Sequence, residues 1–169
     1  MTYGIDKLAL DLGAVIAANV KGVYDSGVPG YASPIEALFA TGFLTFLAVH
    51  PDYMGYRGRM HSGVEDPVED YDFFLSRQAR VLNWPVDFLV FAKRHDAPSD
   101  PCARLVIECD GHDFHERTKE QAARDRSRDR ALQASGYTIM RFTGSELYRD
   151  PTKCVREALD WCVARYWER

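Results

Sequence analysis

Three acidic residues lie in or beside apolar stretches, where a carboxylate needs a partner. Asp87 lies in the run PVDFLV, and Glu108 and Asp110 lie in the run LVIECDG. If residues 85–92 and 104–109 pair as an antiparallel hairpin, positions whose numbers add up to about 195 face each other, so Asp87 lies opposite Glu108. Alternate side chains of a strand share a face, so Asp110 points to the same side as Glu108. The spacing therefore predicts three carboxylates at one end of a sheet.

Three carboxylates held together favour a bound divalent metal ion, because their charges repel one another without a counter-charge. Oxygen ligands suit Mg²⁺ or Mn²⁺. Such an ion can activate a water molecule and neutralise the charge on a phosphate under attack. The alternative is that the acids form salt bridges with nearby arginines, and a single acid in a strand would favour it. Three acids in one register favour the metal site.

The rest of the chain predicts the elements that position these acids. Apolar spacing predicts a helix at residues 5–21, and the sequence Ser33-Pro34-Ile35-Glu36 predicts the start of a second helix that runs to about Val49. Short apolar runs predict strands at residues 73–83, 85–92, 104–109 and 137–142. Two further helices are predicted at residues 118–135 and from residue 150 onwards.

This order of elements predicts an α/β fold. The core is α-β-β-β-α-β, with a mixed β-sheet, helices on both faces and an extra N-terminal helix. The strand–helix–strand unit at 104–142 favours parallel pairing, and the earlier strands favour antiparallel pairing. We interpret residues 1–169 as a single domain. Its parts are an N-terminal helical part (1–49), an irregular, mostly exposed insertion (50–72), a catalytic core (73–149) and a C-terminal helix (150–169).

The composition is typical of a soluble globular domain: 169 residues, of which 46% are hydrophobic and 27% charged. The net charge of −4, from 21 basic and 25 acidic residues, argues against a surface coated in positive charge for non-specific binding of nucleic acid. No apolar run reaches the ~18 residues that span a bilayer, so no membrane partner is expected. The four cysteines form no CxxC pair, and we expect Cys154 and Cys162 to be buried thiols in a reducing cytoplasm.

The longer string of residues around the acids resembles a known nuclease family. PVDFLV is followed by LVIECDG, a histidine, an Arg/Asp-rich helix and GYTIMRFTGSEL. This string is similar to the PD-(D/E)XK nuclease superfamily, and in particular to its Vsr-like branch of very-short-patch-repair type endonucleases. The resemblance covers about residues 74–149, with Ser33 to Val49 matching the N-terminal helix of the family. It implies a restriction-endonuclease-like core, DNA as the partner and Mg²⁺ as the cofactor, with Mn²⁺ as a substitute.

The resemblance also implies roles for individual residues. Asp87 and Glu108 match the metal-binding acids of the family, and the backbone carbonyl of Cys109 matches a frequent third ligand. Asp110 stands where the superfamily usually has a lysine, although the Vsr-like branch commonly has an acid there. His115, near the start of the following helix, is the candidate that replaces the lysine, either as a general base or by binding a water molecule at the metal.

Three polar residues outside the acidic strands could support the site. Glu36 matches a glutamate that the family places near the metal, but it also completes a capping box with Ser33, and we weigh both roles equally. Gln78 resembles a recurrent glutamine of such nucleases. Arg141, in the strand next to the acids, either orients a phosphate or pairs with an acid.

Helical geometry divides the polar residues of the helix at 118–135 between two faces. The inward face, which also carries Leu132, holds Gln121, Asp125 and Arg128. The outward face holds Lys119, Arg126 and Arg130. The inward residues either support the acidic site or form an internal pair between Asp125 and Arg128. The outward residues either bind phosphates of nucleic acid or form an ordinary solvated face.

These observations predict a Mg²⁺-dependent DNA endonuclease. Two alternatives stay open. The missing lysine and the net charge of −4 favour an inactive nuclease-like module that binds DNA or regulates a partner. The acidic insertion at 50–72 could narrow the groove, which favours a metal-dependent phosphodiesterase acting on RNA or nucleotides. The oligomeric state is open, a homodimer included.

Overall fold

The computed structural model describes residues 31–63, 70–97, 101–111 and 118–168, together with isolated positions between 7 and 21. Those isolated positions are helical and exposed: 7, 8, 10, 11, 13, 14, 17, 18 and 21. Their helical state agrees with the helix that the sequence predicts there. Within the described ranges, no helix is both long enough and apolar enough to cross a membrane.

The described chain forms one five-stranded sheet with helices packed on it. The helices are α1 (Pro34–Val49), α2 (Lys119–Ala134), α3 (Gly144–Arg149) and α4 (Pro151–Trp167). The strands are β1 (Gly58–Ser62), β2 (Phe73–Val81), β3 (Trp84–Ala92), β4 (Ala103–Asp110) and β5 (Tyr137–Thr143). Their order in the sheet is β1-β2-β3-β4-β5.

The sheet is mixed, as the sequence predicts. β2, β3 and β4 pair antiparallel, and β4 and β5 pair parallel across the α2 crossover. Phe88 faces Ile107 and Leu89 faces Val106, which is the predicted register of β3 and β4. The α/β class, the mixed sheet and the central α-β-β-β-α-β order are therefore confirmed.

Strand β1 differs from the prediction of irregular structure over residues 50–72. It pairs parallel with β2 at the edge of the sheet, with Gly58 opposite Phe73. Its sequence, GRMHS, has a single apolar residue, so it carries no alternating pattern that would predict a strand. A Cβ atom at Gly58 would lie 2.3 Å from Cδ1 of Leu47, so the glycine allows α1 to pack closely against this edge.

Helices cover both faces of the sheet. On one face, α1 and α4 bury Phe39, Phe43 and Leu159 against Leu105 and Ile107 of β4. On the other face, α2 packs Leu132 in a cluster with Val106, Leu89 and other residues. Alternate residues of β4 therefore enter the two cores, which is the division of faces that the sequence predicts.

Capping residues define the ends of the two helices that flank the acidic strands. Ser33 caps α1 by accepting a hydrogen bond from the backbone N–H of Glu36. Thr118 caps α2 in a reciprocal capping box with Gln121. Beyond the end of α2, Gly136 has a φ of +85°, a conformation that favours glycine, as expected for the residue after a helix.

Candidate active site

The hairpin of β3 and β4 brings Asp87 next to the residues that end β4. Asp87 Oδ2 accepts a hydrogen bond from the backbone N–H of Cys109, with an N–O distance of 2.8 Å. The register of the hairpin continues from Phe88 and Ile107 toward this end of the sheet. The predicted juxtaposition of Asp87 with the end of β4 is thus present in the structure.

Glu108 is buried and is bound by an arginine from α2. The Arg128 guanidinium donates a hydrogen bond to Glu108 Oε1 and another, of 2.8 Å, to the carbonyl oxygen of Pro85. Only 11% of the Glu108 side chain and 15% of the Arg128 side chain are exposed. Arg128 faces inward, as predicted, and its ion-pair partner is Glu108. It ties α2 to both β3 and β4.

Asp110 also faces an arginine. Arg141 Nη1 lies 3.5 Å from Asp110 Oδ2, and Arg141 Nη2 donates a 2.7 Å hydrogen bond to Asp129 Oδ1. Arg141 lies opposite Glu108 in the parallel register of β4 and β5. Of the two roles that the sequence left open for Arg141, pairing with an acid is the one observed. Asp129 was not among the predicted site residues, although it follows Asp125 by one helical turn.

Glu36 connects the start of α1 to strand β2. Only 3% of the residue is exposed. Its Oε2 atom accepts hydrogen bonds from Gln78 Nε2, at 2.9 Å, and from the backbone N–H of Ala32, at 3.2 Å. Its Oε1 atom accepts a 3.0 Å hydrogen bond from the Ser33 hydroxyl. The glutamate therefore takes part in helix capping and also contacts a strand of the site.

Gln78 adopts an unusual backbone conformation within β2. Its φ is +50°, in the left-handed region that non-glycine residues rarely adopt. The neighbouring pairs, Arg77 with Phe88 and Ala79 with Val86, place Gln78 across from Asp87. Such a conformation costs about 1–3 kcal/mol and is found most often at functional sites. The distortion coincides with the position from which the Gln78 amide reaches Glu36.

Burial and mutual repulsion raise the pKa of the two central acids. Burial raises the pKa of Asp87 to about 6, and the charges of Glu36 and Asp110 add to this effect, while the hydrogen bond from Cys109 opposes it. Burial likewise raises the pKa of Glu108 to about 7, against the opposing charge of Arg128. Near neutral pH, ionised carboxylates at this position are costly, so the site favours an added positive charge.

The donor atoms fit a hard divalent cation, but their present partners are arginines and a backbone N–H. Carboxylate oxygens and a backbone carbonyl are the ligands that Mg²⁺ and Mn²⁺ prefer. In the part of the chain that the structure describes, no three His, Cys, Asp or Glu side chains are grouped closely enough to hold a metal ion. Glu108 is bound to Arg128, and Asp110 faces Arg141. The salt-bridge alternative is thus observed for these two acids.

A family model described as REase_MTES_1575, a restriction-endonuclease-like family, matches residues 61–162. This span is more than half of the chain and contains all three predicted acids. The chain belongs to this restriction-endonuclease-like family. It has no significant match among curated proteins or among solved structures. Membership supports a nuclease function, and Glu36 contributes to the site from outside the matched span.

Helix α2 of this restriction-endonuclease-like domain largely has the predicted orientation. The basic residues of its outward face are exposed: Lys119, Arg126 and Arg130. On the inward side, Asp125 and Arg128 are half-buried. Gln121 differs from the prediction, because it is exposed and its side chain accepts a 2.8 Å hydrogen bond from the backbone N–H of Thr118. Local capping thus determines the direction of this side chain.

Two predicted residues of the restriction-endonuclease-like site, His115 and Arg128, need separate comment. His115, the predicted replacement for the family lysine, lies outside the described residues. Of the two roles that the sequence left open for Arg128, the structure shows the one at the acidic site, where it pairs with Glu108. A signal was present: an arginine on the face that carries Leu132 points toward β4, where Glu108 is an unpaired acid in the sequence pattern.

Proposed function

We propose that the protein is a metal-dependent DNA endonuclease that hydrolyses phosphodiester bonds. The observation that carries the proposal is the position of the partly buried Asp87, held by Cys109 at the end of β4 beside the buried acid Glu108, within the matched family region. A buried and a partly buried carboxylate, both with raised pKa values, form a site that gains from a divalent cation.

In this proposal, Asp87, Glu108 and the carbonyl oxygen of Cys109 would hold Mg²⁺ or Mn²⁺, and Asp110 assists. A bound ion of this kind supplies an activated water molecule and neutralises charge on the phosphate. Glu36 and Gln78 support the site from α1 and β2. His115 would accept the proton of the attacking water molecule, a role that a neutral imidazole can perform.

The exposed face of α2 is proposed to contact the DNA backbone. Lys119, Arg126 and Arg130 lie on the same helix as Arg128, which reaches the acids from the opposite side. Phosphate contacts of this type give affinity without sequence information. Because the net charge of the chain is −4, attraction for DNA depends on such a local patch.

Two finer assignments complete the proposal. Asp110 stands at the position of the usual superfamily lysine, which supports the Vsr-like branch. The four cysteines are free thiols, three of them buried, and free thiols suit a reducing compartment, which supports a cytoplasmic location.

Glu108 is paired with Arg128 and Asp110 with Arg141, and this pairing favours a second candidate function. A domain in which Arg128 and Arg141 neutralise the acids permanently would be an inactive DNA-binding or regulatory module. The two functions differ in one respect: only the nuclease needs Glu108 to exchange its arginine for a metal ion.

Supercoiled plasmid incubated with the purified protein tests the proposal. We expect nicked or linear DNA with Mg²⁺ or Mn²⁺, and none with EDTA. Asp87→Asn and Glu108→Gln should abolish cleavage, whereas Glu157→Gln, a matched change at an exposed position of α4, should not. Salt-sensitive duplex binding without cleavage under any metal would instead establish the binding module, and cleavage of RNA alone would establish the RNA phosphodiesterase.

A further inference from the structure

Arg128 provides a positive charge beside the two acids Glu108 and Asp87, in direct contact with Glu108. Its guanidinium is hydrogen-bonded to Glu108, and its charge lowers the pKa of both Glu108 and Asp87. It also donates to the carbonyl oxygen of Pro85, which lies two residues before Asp87 in β3. The arginine thus has the position and the charge of a counter-cation for the acid pair.

The hydrogen bonds of this guanidinium are incomplete. The described residues offer no hydrogen-bond partner to the Arg128 Nε atom, although that atom is buried. The hydrogen bonds to Glu108 and Pro85 both come from a single nitrogen, Nη2. A guanidinium can form five hydrogen bonds in a planar fork, and it binds phosphates through two parallel bonds. Arg128 therefore keeps one buried donor, Nε, that its present partners do not satisfy.

We propose that Arg128 is an exchangeable counter-cation. In the metal-free protein it neutralises Glu108. When a divalent ion binds Glu108 and Asp87, the guanidinium is released and binds a phosphate of the nucleic-acid substrate. This inference rests on the proposed function, since it needs both a divalent ion and a phosphate-containing substrate.

The exchange has a thermodynamic consequence. Metal ion and Arg128 compete for the same carboxylate, so the arginine weakens metal binding when DNA is absent. Release of Arg128 creates a phosphate contact, so bound metal should strengthen DNA binding. By reciprocity, bound DNA should strengthen metal binding to the same degree. Free metal would then bind the empty site weakly, and the complete site would form only with the substrate.

Two binding measurements on the whole chain test this proposal, and neither depends on cleavage. The first is calorimetric titration of Mg²⁺ into the protein without DNA. The second is fluorescence anisotropy of a labelled mixed-sequence duplex, with EDTA or with Ca²⁺ as a non-cleaving divalent ion. Both compare the wild-type protein with Arg128→Met and with Arg126→Met, an exposed arginine of the same helix.

We expect Arg128→Met and Arg126→Met to differ in their effects on Mg²⁺ binding and on duplex binding. Arg128→Met should bind Mg²⁺ about tenfold more tightly than the wild type, because the competing cation is absent. It should lose about tenfold in duplex affinity with Ca²⁺ but little with EDTA, when the wild-type guanidinium is held by Glu108. Arg126→Met should leave Mg²⁺ affinity unchanged and weaken duplex binding equally in both conditions.

Unchanged or weaker Mg²⁺ binding by Arg128→Met would overturn the proposal, and so would an equal loss of duplex affinity with and without Ca²⁺. If Arg128→Met does not fold, Arg128→Lys serves in its place. An ammonium group lacks the planar fork. We therefore expect Arg128→Lys to change Mg²⁺ affinity and duplex affinity in the same directions, but by less than about tenfold. Plasmid cleavage reports separately on the nuclease. Cleavage without the shift in Mg²⁺ affinity refutes only the exchange, and the shift without cleavage refutes only the nuclease.

Discussion

Asp87 on β3 and Cys109 on β4 are joined by a hydrogen bond from the Cys109 backbone N–H to Asp87 Oδ2, at 2.8 Å. This bond holds one acid against the strand that carries the other two. It also affects the electrostatics of the site, because burial and crowding raise the pKa of Asp87 even though the N–H favours its charged form.

The raised pKa values predict that the metal-free protein loses stability as the pH rises. The pKa of Asp87 is raised from 3.8 to about 6, and that of Glu108 from 4.5 to about 7. Between each pair of values the folded state binds more protons than the unfolded state. This stabilisation is complete below the unfolded-state pKa and is lost as the pH rises through the folded-state pKa. At about 1.4 kcal/mol per pKa unit, the two shifts together correspond to at most about 6 kcal/mol.

Urea denaturation in EDTA between pH 4.5 and 8 measures this loss. Asp87→Asn should flatten the profile, while Glu157→Gln, at an exposed position, should leave it unchanged. Mg²⁺ should reduce the slope, because it stabilises the ionised acids. A free energy of unfolding that rises over this pH range in the wild type, and not in Asp87→Asn, would contradict the assignment.

His115→Ala should slow metal-dependent cleavage by roughly 10²–10⁴-fold if the imidazole accepts a proton during the reaction. Calorimetry should show a much smaller loss of Mg²⁺ affinity than in Asp87→Asn. His112, which directly follows Gly111 in the sequence, provides the matched control, and His112→Ala should retain most of the activity. Equal losses of metal binding in His115→Ala and Asp87→Asn would make His115 a ligand, and full activity would exclude it from the site.

Replacing the outward basic residues of α2 should reduce the salt dependence of DNA binding. With Lys119, Arg126 and Arg130 changed together to Gln, the slope of log affinity against log salt should flatten by at most about 0.9 for each phosphate that is no longer bound. The melting temperature should change little, because exposed charges contribute little to stability. The same charge change at Lys153, Arg156 and Arg165 of α4 is the control. An equal effect of the two triple variants would show that net charge alone attracts DNA.

Glycine usually destabilises a strand more than alanine does. At Gln78 we expect the opposite order of stability for the two substitutions. Both changes remove the hydrogen bond to Glu36, but only glycine relieves the positive φ. Gln78→Gly should therefore be more stable than Gln78→Ala by about 1 kcal/mol. At Arg80, an exposed β2 position without a positive φ, alanine should be the more stable replacement. Urea denaturation of the four variants measures both differences.

The sequence predicts most of the fold because each main element carries its own local signal. Ser33, Thr118 and Gly136 mark helix ends through their own chemistry, and alternation in β4 separates the two cores. The register of β3 and β4 follows from the symmetry of the hairpin about its loop. Strand β1 carries no such signal, because its pairing depends on backbone hydrogen bonds to β2 rather than on an apolar pattern.

Within the site, the sequence predicts which strands bring acids together but not which partners neutralise them. The position of Asp87 follows from hairpin register alone. The pairing of Arg128 with Glu108, or of Arg141 with Asp129, depends on how α2 is rotated and how far along the sheet it sits. The positive φ of Gln78 depends on tertiary contacts, since glutamine has no intrinsic preference for it.

Helix α2 is anchored differently from the other long helices. Leu132 is its single buried residue, whereas α1 buries seven residues and α4 buries five. Polar contacts also attach it to the sheet: Arg128 binds Glu108 on β4, and Asp129 accepts a hydrogen bond from Arg141 on β5. Among the long described helices, α2 should therefore be the unit of lowest local unfolding free energy. Its amide hydrogens would exchange with solvent earlier than those of β4, and a transient opening of α2 would uncover the acids while the sheet remains folded.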